Sequence, residues 1–112
     1  MAGSSSEKIQ KFAQSGKGAK ALPYAVSKKA DERAAAATAL GFTTDDDSYN
    51  ALVNLLRDPD STVCINAAGA LDKLGRKPAA EHLRHAANHT SDEAIKIACN
   101  AAAASLSSHG KA

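Results

Sequence analysis

Tryptophan is absent from this chain of 112 residues, and phenylalanine and tyrosine occur twice each. That excludes a core built on large aromatic rings. It also disfavours a nucleic-acid groove, in which cations alternate with aromatic platforms for the bases. Cysteine occurs twice, at Cys64 and Cys99. That is too few for a disulfide-dense scaffold, and each reads as a small buried thiol. No apolar run approaches the length of a membrane span. The polar Met1–Ser6 stretch leads into Glu7 and Lys8 without the apolar segment of a secretory leader. A cytoplasmic setting without membrane contact is therefore the expectation. Gly16-Lys17-Gly18 lacks the Gly-Lys-Ser/Thr ending of a phosphate loop. No nucleophile arrangement occurs either, so the sequence does not indicate an enzyme and calls for no cofactor.

What the chain does have is alanine. Hydrophobic residues make up 44% of it while aromatic residues make up 4%, and most of the difference is the best helix-forming residue. The organising stretch is Asp58-Pro59-Asp60-Ser61-Thr62-Val63, which runs on to Gly75. Asp58 suits an N-cap and Pro59 the first helical position. Val63, Ala67, Ala70, Leu71 and Leu74 then form one apolar stripe at helical period, and Gly75 suits the stop. Before it, Tyr49–Arg57 reads as another helix, with Leu52, Val53, Leu55 and Leu56 on one side.

The pattern repeats. A shift of 32 places Val63 on Ile95, Ala67 on Cys99, Ala70 on Ala102 and Leu74 on Leu106. The same shift places Asp58 on Thr90, which with Glu93 has the spacing of a capping box. A shift of 31 the other way places Leu71 on Leu40 and Ala67 on Ala36. Paired helices at a period near thirty residues predict a helical solenoid.

Asp31–Gly41 and Asp58–Leu71 resemble the second helix of short HEAT repeats, most closely the HEAT-like repeats named after phycobilisome lyases. The Asp-Pro-Asp turn and the Ala-x-x-Ala-Leu helix carry the resemblance, which spans about residues 18–107. The arginine usual early in the family's second helix stands only at Arg33; Cys64 and Lys96 hold its places in the other units. The resemblance implies an all-α, right-handed α–α superhelix of about three HEAT-like helix pairs, over 18–42, 46–75 and 77–107. A cap helix from residue 6 would cover the first pair, giving one domain over 6–107 between flexible tails at 1–5 and 108–112. Within it, helices are expected at Lys20–Lys28, with Leu22, Ala25 and Val26 inward, and from Ser91 to about Leu106.

Function follows from that architecture as an expectation: a scaffold that binds a protein partner on the ridge of second helices. Arg33, Cys64 and Lys96 share one register there, with Asp72 and Asn100 near them, and these five are the expected contact positions. A second reading is self-association through the last helix, where Ile97, Ala101 and Ala104 have no following repeat. A lyase or metal-dependent enzyme comes last. His82, His85 and His89 share one face and could in principle hold a metal. Iron-holding HEAT-repeat enzymes use His-Glu pairs from several repeats, however, and this chain has the reversed Glu81-His82 in one. A solvent-facing histidine stripe is the simpler reading.

Charge is uneven. Residues 1–33 carry seven Lys or Arg against three acids, while residues 45–60 carry five Asp against Arg57. Such an arrangement suits steering of a protein partner. Asp45, Asp46 and Asp47 precede a helix, and capping fits them better than cation binding. Phe42 and Tyr49 flank them in the positions of a hydrophobic staple.

Overall fold

A computed structural model describes residues 5–109, and among these every regular element is a helix. The helices are α1 (Ser5–Gln14), a 3-10 helix (Gly18–Val26), α2 (Ala30–Leu40), α3 (Asp46–Leu55), α4 (Ser61–Leu74), α5 (Ala79–Asn88) and α6 (Glu93–His109). Its last helix runs past the expected end at Leu106. What else was expected of the two tails falls largely on residues outside those described.

The helices form two layers. In one, α1 packs on α2, α2 on α4 and α4 on α6; in the other, the 3-10 helix, α3 and α5 lie against them. The least principal extent, 18 Å, is about two helix diameters. Leu40, Leu52, Val63, Leu71 and Leu83 are fully buried between the layers. Ile9 of α1 joins them, and Phe12 and Ala13 are half-buried beside it, so α1 covers the open side of α2.

Alanine sets how closely α2 and α4 pack. Ala36, Ala37, Ala67 and Ala68 are fully buried. Gly41 belongs to the same contact: a Cβ placed there would lie 2.9 Å from the Cβ of Ala70 and 3.0 Å from its Cα. This glycine has ordinary helical dihedrals (φ −69°, ψ −9°), so what it provides is room for α4. Gly75 does supply the left-handed turn that ends α4 (φ 74°), as expected.

Three local expectations change. The segment expected as a helix over Lys20–Lys28 is 3-10, with Pro23 inside it. Three residues per turn bring Gly18 and Ala21 to one face. Both are buried against the stack, while Val26 is 84% exposed and not inward. The N-cap of α4 is Asp60, whose carboxylate accepts from the Val63 amide (3.1 Å), and not Asp58. Likewise Asp92, and not Thr90, accepts from the first-turn amides of Ala94 and Ile95.

The displaced residues share another task. Lys29, Asp60 and Asp92 each donate their backbone N–H to a side chain two positions back, respectively Ser27 Oγ (3.1 Å), Asp58 Oδ1 (2.9 Å) and Thr90 Oγ1 (3.1 Å). The repeat therefore carries two polar side chains before each second helix, and the one nearer the helix makes the cap in α4 and α6.

Before α3, Asp45 caps as expected, accepting from the Ser48 amide (2.9 Å) and hydroxyl (2.8 Å). The Ser48 amide leads in holding its carboxyl below the ordinary range. Each of the two rings carries a cation: Lys73 Nζ lies 4.8 Å from the Phe42 ring centroid, and the Arg76 guanidinium lies 4.8 Å from that of Tyr49.

Gly41→Ala should destabilise the fold by about 1–3 kcal/mol, because α4 has nowhere to move. Gly69→Ala, with open space around an exposed mid-helix position, should stabilise it by about 0.5–1 kcal/mol. Chemical unfolding of both variants checks this, and effects of the same sign would count against the close α2–α4 contact.

Candidate functional site

Arg33, in the first turn of α2, reaches along the stack to the turn before α4. Its Nε donates to Asp58 Oδ2 (2.7 Å), its second terminal nitrogen to Asp58 Oδ1 (3.0 Å) and the other to the Ser27 carbonyl (2.9 Å). The pair is largely covered, with side-chain exposures of 16% for Arg33 and 6% for Asp58. Burial pushes the Asp58 carboxyl up. The Arg33 guanidinium and the Asp60 amide outweigh that and hold it below the ordinary range.

Cys64 stands at the equivalent place in α4 and is buried. Its thiol donates to the carbonyl of Asp58 (3.0 Å) and lies within reach of that of Leu56 (3.5 Å), tying the end of α3 to the start of α4. Burial pushes it up to about 11 and also raises Cys99, so both thiols stay protonated and inert in the fold. Arg33 and Cys64 are thus spent inside the stack. Their shared register looks along the stack, toward the following unit. Lys96 and Asn100 occupy it in α6, and there Lys96 is half-covered and Asn100 exposed. The residues equivalent to Asn100, Ala68 and Ala37, are fully buried. Asp72 is half-buried near the end of α4. The five expected contact positions therefore do not form one open surface.

The acidic edge is largely committed too. Asp45 and Asp60 cap helices, Asp58 holds Arg33, and Asp46 Oδ1 accepts from Arg76 (2.8 Å).

A groove of about 660 Å3 opens over α2. Ala30, Ala34, Ala35, Thr38 and Ala39 of α2 make its floor; Gln10 and Gln14 of α1 form one wall, and Thr62 and Asn66 of α4 the other. Asn66 Nδ2 donates to the Ala34 carbonyl (3.1 Å), which fixes that wall. Asp31 and Asp60 stand at the end where α2 and α4 begin. At the far end is Phe42, 54% exposed, under the ammonium of Lys73. The sequence marks Ala36 of α2 as a repeat position and gives no role to the alanines of this floor. The missed signal is that they surround α2: a helix with alanine on every side has a small-residue solvent face as well as a small-residue core face.

On the other layer, α3 and α5 do not pack side by side, and a second groove of about 750 Å3 lies between them. His82, His85 and His89 line it and are exposed. They do not converge on a point. The rings of His85 and His89 stack with centroids 4.0 Å apart, and His89 Nδ1 donates to the His85 carbonyl (2.8 Å). Among the described residues no three of His, Cys, Asp and Glu are placed to hold a metal ion. No helix among them is long and apolar enough to cross a membrane.

A family model described as HEAT repeats matches residues 19–106. The match takes in nearly all of the 3-10 helix and α6 and everything between, and leaves α1 outside. It is to the repeat in general and does not single out the phycobilisome-lyase type. No curated protein and no solved structure matches the chain.

Folded Asp58 holds its proton more weakly than the unfolded chain does. Its contribution to stability is therefore full above the unfolded carboxylate range and is lost as pH falls through the folded value. Asp58→Asn should be less stable than wild type at neutral pH, and the gap should close on acidification below about pH 4. Urea unfolding at several pH values measures it, and a pH-independent gap would remove the ion pair as its cause.

Proposed function

The chain belongs to the HEAT repeat family, and on that premise we propose that it is a scaffold module that binds a protein partner on its layer of second helices. The observation that carries the proposal is the alanine-floored groove between α1 and α4. Alanine lets a partner backbone approach closely, and the glutamine, asparagine and threonine side chains of the walls supply hydrogen bonds at the rim. A groove floored this way suits an amphipathic helix of the partner, laid along α2 on its apolar face. Its ends differ in charge. A basic residue of the partner would meet Asp31 and Asp60, and an acidic one would meet Lys73 beside Phe42. Asp72, Lys96 and Asn100 remain proposed contacts toward the α6 side of the same layer. Arg33 and Cys64 serve it from inside, by holding the helices in place.

Thr38→Arg tests the groove, since Thr38 is exposed and a long cation there blocks the floor without entering the core. Quantitative capture of partners by wild type and by this variant, followed by reconstitution with the purified partner, should show binding reduced roughly tenfold or more. Arg84→Glu on α5 serves as the control and should bind normally. Equal recovery by Thr38→Arg and wild type would overturn the groove.

A second reading rests on one residue. Ile97 of α6 is 61% exposed, and Ala101 and Ala104 beside it are exposed too. Self-association through this face would show as a sedimentation coefficient that rises with concentration and no longer does so in Ile97→Lys. A strict monomer at high concentration removes it.

A further inference from the structure

We propose that the groove between α3 and α5 is a separate binding site, for an acidic peptide segment that carries an aliphatic anchor. Its volume of about 750 Å3 falls within the range of ligand-holding clefts. Val53, Leu56, Ala86 and Ile95 provide apolar lining, while Arg57 and the three histidines of α5 stand around it. An apolar seat with cations about it calls for a ligand with both characters.

The balance of charge within the groove decides the sign. Two carboxylates line it, Asp58 and Glu81. Asp58 is held by Arg33 at 2.7 Å, and Glu81 has Arg84 at 3.9 Å, three positions on along its own helix face. Arg57 has no ion pair among the described residues, nor do His82, His85 and His89. Both acids of the groove thus face a cation already, while Arg57, the one Lys or Arg of its lining, lacks an acid. No further charge comes from the other walls: α3 and α6 contribute apolar side chains, and α4 contributes Cys64, whose thiol stays protonated. A carboxylate-bearing segment supplies the missing charge, and its aliphatic side chain covers the lining. A phosphodiester chain would match the cations and leave the apolar lining empty.

The groove over α2 has no histidine in its lining, which separates the two sites experimentally.

The test is fluorescence anisotropy of the full chain with a short labelled peptide that alternates leucine with aspartate and glutamate. Saturable binding is expected at low ionic strength, weakening as salt is raised. Arg57→Glu and the combined variant His82→Gln, His85→Gln, should each weaken it by roughly tenfold or more. All three positions are exposed, so circular dichroism should report an intact fold in each. Thr38→Arg should bind the peptide as wild type does, whatever becomes of the partner proposed for the α2 groove. Absence of saturable binding by wild type would overturn the proposal. So would equal binding by Arg57→Glu, or equally tight binding of a peptide with lysine in place of the acids.

Discussion

Neighbouring second helices approach closely only because the side chains between them are alanines and, at one point, Gly41 against Ala70. The remainder of the structure follows from that contact. An alanine in place of a leucine forgoes about 2 kcal/mol of apolar burial, so the second layer gains less per residue than a leucine-rich stack. Leucine is kept for the space between the layers, where Leu40, Leu52, Leu71 and Leu83 are fully buried. Polar links then join the units along one edge. Ser6 reaches Asp31, Arg33 holds Asp58, and the Ser61 hydroxyl donates to Asp92. Each comes from the first turn of one helix and meets the turn or first turn belonging to the next, so the ladder fixes the axial register that smooth alanine faces leave loose.

The sequence showed the period, the helix pairs and most of their inward faces, because a shift of 31 or 32 superposes apolar positions that only a repeated helix needs. It misplaced two caps for a specific reason. Asp58 and Asp60 are both good caps by residue type, as Thr90 and Asp92 are good enough by spacing, and local propensity does not choose between residues two apart. The choice is made at a distance: Asp58 faces Arg33, 25 residues earlier, and once engaged there it folds back on the Asp60 amide and leaves capping to its neighbour. The 3-10 helix was obscured in a similar way. Its composition suits an α-helix apart from Pro23, and the shorter turn shows only when Gly18 and Ala21 are set against the stack.

The candidate site was less legible than the fold. Shared register put Arg33, Cys64 and Lys96 in one group, yet register is blind to direction. One position points along the stack: Cys64 is buried there, Arg33 is spent on Asp58, and Lys96 of α6 is half-covered. Alanine hid the groove over α2 for the opposite reason, since one residue type serves both a packed face and an open one. His82, His85 and His89 were visible as a stripe, but what they border depends on the separation of α3 and α5, which belongs to no single helix.

Helices joined in pairs need not keep both layers at one spacing. The second helices draw together, and α3 and α5 are left apart. The gap bares the apolar sides of Val53 and Ala86 and leaves Arg57 without an ion pair among the described residues. The groove over α2 arises from short side chains within a layer, and the groove between α3 and α5 from an interval between helices. Reshaping the first needs only a change at its floor, whereas closing the second means altering the spacing of the stack. Substitutions on α2 and on α5 should therefore act independently, as expected of two sites set on opposite faces of one thin scaffold.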